Sequence, residues 1–201
     1  MKKILIATGN NAKLKDIKEF LKDLDLEILS LKNLNLVQDV KEDGKTYKEN
    51  SEKKALHFAK LTNLPTIADD GGIEIDVLGG KPGVDSKYWA EDDNAIIEKL
   101  REIARKLSNN NRRAVFKVVI SFALPNGKVF SVEDETEGII TKKEHERRVA
   151  GFPYRSFFYL PEINKYYHEE ELTDDELRVY NHRYKAIQKI KEIIKKKIIN
   201  A

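Results

Sequence analysis

The segment that most constrains the fold is the amino-terminal one. Lys2 to Ala7 is a nearly unbroken apolar run with little alternation, the pattern of a strand covered on both faces. Leu14, Ile17, Leu21 and Leu24 then follow at helical spacing, and Thr8-Gly9-Asn10-Asn11 lies between the two patterns. A doubly covered strand that turns straight into a helix belongs to a parallel-type sheet, so the opening predicts an α/β chain. Asn10 or Asn11 can cap the helix, whose unpaired first-turn amides make a natural anion site.

Further along, Thr46-Tyr47-Lys48-Glu49 has the spacing of a capping box and leads into Ala55, Phe58, Ala59 and Leu61. Leu64 to Ala68 predicts a short strand that stops at Asp69-Asp70-Gly71-Gly72. With Gly79-Gly80, Pro82 and Gly83 close behind, residues 69 to 86 read as a long ordered loop. Ala95 to Leu107 is helical by spacing, and Asn109 to Arg113 make a polar connection. Ala114 to Leu124 predicts a long strand, turned by Pro125-Asn126-Gly127 into Lys128 to Val132, and Thr136 to Thr141 predicts another. Residues 114 to 141 therefore read as an antiparallel lobe added to the strand-and-helix part. From the capping box Thr173-Asp174-Asp175-Glu176, one amphipathic helix is expected through Val179, Ala186, Ile190, Ile193 and Ile194. With no repeat, linker or clean boundary, residues 1 to 201 read as a single domain.

Composition removes several function classes. The 201 residues include no Cys, which excludes disulfides, thiolate metal sites and thiol catalysis. Lys and Arg number 37 against 34 Asp and Glu, a balance that weakens any case for a dedicated nucleic-acid binder. Lys189, Lys191, Lys195, Lys196 and Lys197 do cluster, but Ile190, Ile193, Ile194, Ile198 and Ile199 make that run an ordinary amphipathic helix. No apolar run nears the roughly 18 residues of a membrane span, and no export signal is visible, so a cytoplasmic protein without a membrane partner is expected.

Four groups of residues could carry chemistry. Thr8, Gly9, Asn10 and Lys13 place a hydroxyl, a glycine, an amide and an ammonium at one helix mouth, equipment for a polyphosphate; an ordinary capped turn is the plainer account. Asp69 and Asp70 are adjacent carboxylates that repel unless a cation or base work compensates, and magnesium with a phosphate substrate would do so. Gly151-Phe152-Pro153-Tyr154 is an aromatic pair on a rigid loop, suited to stacking a base or simply to plugging a core. Asn181-His182-Arg183 with Lys185 is by itself an unremarkable helix face.

Together, their order is specific. Ala7-Thr8-Gly9-Asn10 with Lys13, Glu49-Asn50 with Lys54-Ala55, Ile67 to Glu74, Leu78 to Ser86, Phe116 to Ile120, Gly151-Phe152 with Tyr154 and Phe158, and His182-Arg183 with Ala186 resemble the inosine triphosphate pyrophosphatase family. Members of that family clear damaged purine nucleotides from the pool. The resemblance runs from Ile4 to about Ile190, and Asp69 to Ser86 is its most specific stretch. It implies an elongated, two-lobed α/β fold, a mixed sheet with flanking helices and a central nucleotide cleft. It further implies a homodimer that uses Mg2+ to split a nucleoside triphosphate into monophosphate and pyrophosphate. By position it implies catalytic roles for Asp70, Asp69 and Lys54 and phosphate contacts from Thr8, Gly9, Asn10 and Lys13. Phe152, Tyr154, Arg155, His182 and Arg183 fall around the base, and Asp70, Asp69 and Glu42 are the metal-side acids.

The departures from the family pattern gather on the base side. Gly71 replaces a serine; Pro153, Arg155 and Ser156 replace glycine, aspartate and proline; Asn181 replaces a serine; and a family lysine falls on Leu177. The metal-side glutamate aligns to Lys41, with Asp39, Glu42 and Asp43 as neighbouring acids. Arg155 turns an acceptor into a donor array, so a pocket tuned to hypoxanthine or xanthine is not expected to persist unchanged. The leading reading is hydrolysis of an inosine- or xanthosine-type triphosphate or of another unusual base. The alternatives are a catalytically weakened nucleotide-binding protein and a paralogue with changed base specificity.

Overall fold

The computed structural model describes residues 2–37 and 40–200; Asp39, one of the neighbouring acids considered above, lies outside them. The chain forms an eight-stranded mixed sheet flanked by helices. It divides into two compact units, the first made of residues up to Asp70, Val118–Asp134 and Arg183 onward, the second of Gly71–Lys117 and Glu135–His182.

In the first unit, β1 (Lys2–Ile6) lies between β2 (Leu26–Ser30) and β3 (Thr66–Ile75), parallel to both. The expected double burial of β1 is literal. Ile4 and Ile6 pack with Ile17 and Leu21 of α1 (Asn11–Leu21) and with Ala186, Ile190 and Ile194 of α5 (His182–Ile194). Leu5 and Ala7 pack instead with Ala55, Phe58 and Ala59 of α2 (Tyr47–Thr62). Thr46 caps α2 as expected, but the Glu49 carboxylate accepts from the Lys45 amide rather than from Thr46, so only half of the capping box forms. Asn10 caps α1, its Oδ1 accepting from the amides of Ala12 and Lys13.

In the second unit, Ile96, Ile97, Leu100 and Ala104 of α3 (Asp93–Lys106) belong to one core with Phe116, Phe157, Phe158 and Tyr167. β4 (Lys81–Pro82) pairs with the end of β3. β7 (Phe158–Leu160) lies antiparallel between β8 (Lys165–Tyr166) and the end of β6 (Val129–Ile140).

Four expectations are corrected. Residues 69 to 75 are strand, not loop: β3 continues through Asp69-Asp70-Gly71-Gly72 to Ile75. The aspartates stay in the strand because their carboxylates find partners there, as described below. The glycines serve close packing, since a Cβ on Gly72 would lie 2.2 Å from Ser86 Oγ and 2.4 Å from the Gly83 carbonyl oxygen. Second, the strands expected at 128 to 132 and 136 to 141 are one strand, β6. Its acidic centre is carried on ion pairs, Asp134 with Lys185 at 2.8 Å and Lys189 at 2.9 Å, Glu135 with Lys117 at 3.9 Å. Third, β5 (Arg113–Ala123) and β6 do not form a lobe of their own, because each is divided between the two units; the predicted Asn-Gly turn between them is present, with Gly127 at φ +88°. Fourth, the carboxyl-terminal helix is two helices, α4 (Asp174–Tyr180) and α5, because Asn181 leaves the helical region at ψ 104°. Thr136 Oγ1 donates to the carbonyl of Tyr180, the last residue of α4. The Thr173 capping box of α4 is complete.

Candidate active site

The first unit gathers the acids and cations. Asp69 and Asp70 are consecutive residues of β3, so their side chains project to opposite faces, and the two faces treat them differently. Asp69 is 1% exposed, and its Oδ2 receives Lys13 Nζ at 3.0 Å and Arg183 Nη2 at 3.3 Å. Burial opposes ionisation of Asp69, yet Lys13, Arg183 and Lys54 outweigh it and hold the carboxyl well below the usual carboxylate range. Its Oδ1 is buried and has no hydrogen-bond partner.

Asp70 lies on the other side of that balance. Burial raises its pKa from the ordinary 3.8 to about 6; the charge of Glu42 adds to the rise, while Lys13, Lys54 and the Asn50 amide oppose it. Asn50 Nδ2 donates to Asp70 Oδ2 at 3.1 Å, and Asn50 Oδ1 accepts from the Gly44 amide at 2.7 Å. One amide side chain thus ties the carboxylate to the segment that carries Glu42. Lys54, one turn after Asn50 on α2, donates to the Asp69 carbonyl at 3.1 Å and pairs with Glu42. Burial works against the Lys54 charge, but Asp69, Glu42 and Asp70 raise its pKa overall. Lys41, where the family's metal-side glutamate aligns, is exposed and pairs with Asp43, whereas the Glu42 side chain is only 7% exposed. A little-exposed acid thus stands one residue after the position to which the resemblance assigns one.

At the mouth of α1, Thr8 Oγ1 accepts from the Asn10 amide at 3.2 Å. Nothing lies within 4 Å of where a Gly9 Cβ would be, so packing does not demand a glycine there, and the backbone stays open to close approach by a ligand. Arg183 also reaches Asp16 Oδ2 at 3.4 Å. The structure therefore seats Arg183 among the acids, while the resemblance associates it with the base.

The second unit gathers the aromatic residues. The aromatic loop is a 3-10 turn, Pro153–Phe157, with every residue buried. Tyr154 has become a structural prop: its hydroxyl donates to the Ser86 carbonyl at 2.7 Å, its ring stacks on Trp89 at 5.9 Å, and burial pushes its pKa up. The Arg155 guanidinium carbon lies 3.9 Å above the Phe152 ring centre and 5.1 Å from that of Tyr167. Tyr167 Oη meets His182 Nδ1 at 2.9 Å, and the His182 ring is nearly parallel to Phe116, 5.3 Å away. Leu177 is packed against the second unit's core and Asn181 is the helix break, so neither sits as an exposed polar reader.

Sequence reasoning assigned no role to Asn50 or Asp16. Both have a helical signal, Asn50 at i and i+4 with Lys54 and Asp16 at i+3 from Lys13. Among the described residues no three His, Asp or Glu side chains form a ready metal cage. Magnesium, however, is ordinarily held by one or two carboxylates together with substrate phosphates. Asp70 and the nearby Glu42 are hard oxygen donors that, with substrate phosphates, fit such an ion, whereas Asp69 is turned to the opposite face and already carries Lys13 and Arg183.

The Ham1 family profile matches residues 4–193. A Clostridium perfringens protein named dITP/XTP pyrophosphatase is 37% identical over 204 residues, spanning 97% of this chain and 98% of its own. A Thermus thermophilus protein of the same name is 38% identical over 195 residues, 96% of this chain and 92% of its own. Among solved structures, a HAM1 protein from Coxiella burnetii superimposes with a TM-score of 0.82 at 30% identity, covering 98% of this chain and all of that one. The Staphylococcus aureus Ham1 protein gives 0.79 at 33% identity, covering 96% and 98%.

Proposed function

The chain belongs to the Ham1 family, and on that premise we propose that it is a pyrophosphatase that hydrolyses nucleoside triphosphates of the dITP and XTP type to monophosphate and pyrophosphate. The observation that carries this reading is the Asp69-Asp70 pair, with one carboxylate pinned in its charged form and the other held near neutrality beside Lys13 and Lys54.

In the metal-free protein Asp70, at about 6, is mostly ionised at neutral pH, the form in which a general base accepts a proton. In the proposed reaction it takes a proton from a water whose oxygen bonds to the α-phosphorus. The bond from that phosphorus to the bridging oxygen breaks, and pyrophosphate leaves with the electron pair. Lys13 and Lys54 lower the cost of the growing negative charge, and the amides at the mouth of α1 with Thr8, Gly9 and Asn10 cradle phosphate oxygens. Asp69 positions Lys13 through their ion pair, and Arg183, also on Asp69 and on Asp16, stiffens that arrangement. Magnesium held by Asp70 and Glu42 together with substrate phosphates would supply further charge neutralisation. Base recognition is proposed for the second unit, through Phe152, Arg155 and His182, with Tyr154 supporting the turn.

We further place the protein in the cytosol as a homodimer that does not engage nucleic acid or membranes. The resemblance supports the dimer. The near balance of charge supports the absence of a nucleic-acid partner, and among the described residues no helix is long and apolar enough to cross a membrane. The test of the activity is incubation with a panel of triphosphates and magnesium. Pyrophosphate release is expected; intact nucleotide, or orthophosphate in its place, would refute it.

A further inference from the structure

Four polar side chains of the first unit form a chain that the proposed reaction does not use. Ser51 of α2 and Ser121 of β5 are wholly buried, and their hydroxyl oxygens are 2.7 Å apart. Ser121 Oγ lies 2.9 Å from Ser131 Oγ on β6, which donates to Glu52 Oε1 at 2.8 Å. Ser51 and Glu52 are consecutive residues of α2, and β5 and β6 are neighbours in the sheet. The chain therefore leaves the helix, crosses two strands and returns to the helix. A carboxylate only accepts, and each hydroxyl has one hydrogen to give, so Ser131 donates to Glu52, Ser121 to Ser131 and Ser51 to Ser121. Turning the Ser51 hydrogen to the Ala68 carbonyl, 3.2 Å away, would leave one of the shorter contacts with no hydrogen in it.

Burial of the helix does not require this chain, because Ala55, Phe58 and Ala59 already pack α2 on Leu5, Ala7 and Ala68. Apolar packing has no preferred direction, whereas a fully paired polar network specifies one arrangement. The residues that need one arrangement are adjacent. Asn50, which precedes Ser51, donates to Asp70 Oδ2 at 3.1 Å, and Lys54 donates to the Asp69 carbonyl at 3.1 Å. Side-chain tips sit about 5–6 Å from a helix axis, so turning α2 by about 10° would carry them about 1 Å. A misplacement of that size at a reacting geometry can cost on the order of a hundredfold in rate.

Resting on the activity proposed above, we infer that Ser51, Ser121, Ser131 and Glu52 are positioning residues, which fix the rotation of α2 about its axis and through it hold Asn50 and Lys54 to the Asp69-Asp70 pair. Ser51 on β5 and Glu52 on β6 give the helix two points of attachment. One point would leave it free to pivot; two set its rotation. Breaking the chain at either strand releases that constraint while the apolar contacts of α2 remain.

The experiment compares two pairs of variants of matched shape, Ser131→Thr with Ser131→Val and Glu52→Gln with Glu52→Met, by steady-state pyrophosphate release. Threonine and valine add the same branch at a strand position that is only partly buried, and they differ by the hydroxyl. Glutamine and methionine both lose the charge that pairs with Lys48 at 3.8 Å, and they differ by the acceptor. Ser131→Thr and Glu52→Gln are expected to stay within about twofold of the natural kcat, and Ser131→Val and Glu52→Met to fall about tenfold below it. KM should change by less than about twofold throughout, since the phosphate cradle at α1 is untouched. Thermal melting checks that each variant is folded at the assay temperature, and a merely structural role would lower Tm while leaving kcat per folded molecule alone. Should Ser131→Val not fold, the Glu52 pair, at the partly exposed end of the chain, decides alone. Equal kcat within either folded pair, or a loss carried by KM only, would overturn the inference and leave the chain as packing, with the proposed activity standing as long as pyrophosphate is released. Failure of the natural protein to release pyrophosphate from any triphosphate would overturn both.

Discussion

Replacing Asp70 with Asn should destroy turnover and stabilise the metal-free protein, two effects with one origin. The pKa of Asp70 stands at about 6 against 3.8 in an unfolded chain, so at neutral pH the folded protein holds an ionised carboxylate in a place that disfavours it. A gap of roughly two units corresponds to about 3 kcal/mol. Because the folded-state pKa is raised, the penalty is fully present above about pH 6, fades as the pH falls through that value, and vanishes below 3.8. Asn has the same shape, can still accept from Asn50 through its own oxygen, and carries no charge. In a chain of 201 residues each kcal/mol moves Tm by about 2–4 °C, so the variant should melt up to about 6–12 °C higher at pH 7.5 in chelator. At pH 5, where the natural protein has largely protonated Asp70, the advantage should fall to about half. Loss of the proposed base should lower kcat by about two to four orders of magnitude. Thermal unfolding of both proteins at the two pH values, alongside pyrophosphate release, checks the whole chain of reasoning. A variant that melts lower at pH 7.5, or whose advantage does not change with pH, would show that Asp70 is not a buried charge held at a cost.

Lys13→Met should raise KM and lower kcat together, since in the proposed reaction this ammonium meets phosphate charge in both ground and transition states; steady-state kinetics with a melting curve separates that from a simple loss of the Asp69 ion pair. Asn50→Leu should cost about 1–3 kcal/mol of stability, because the Gly44 amide loses its acceptor and Asp70 its donor. Pyrophosphate release should also fall as Asp70 and Glu42 lose their common tether, so an unchanged kcat would refute the positioning role. Gly72→Ala should be among the most damaging single changes in β3, since its Cβ would meet Ser86 Oγ at 2.2 Å. A drop in Tm of less than about 2 °C by calorimetry would show that the Ser86 turn can yield.

Features written into neighbouring residues were legible in the sequence. The doubly covered strand, the Asn10 and Thr173 caps, the Asn-Gly hairpin and the acid and cation set depend on spacing within a few residues, and local periodicity expresses them directly. What only the tertiary structure decided depends on partners far along the chain. Asp69-Asp70-Gly71-Gly72 looks like a strand end because adjacent acids and glycines usually are one; Arg183, 114 positions from Asp69, and Ser86 against Gly72 keep it a strand. The break at Asn181 is hidden because the helical pattern continues across it, while the Tyr180 carbonyl is taken by Thr136, 44 positions away. Two identical residues side by side carry no sign of which will be acidic and which poised near neutrality. The strand turns one carboxylate toward Lys13 and Arg183 and the other toward Asn50 and the charge of Glu42, and electrostatics in a buried place depends on those distances and not on residue identity.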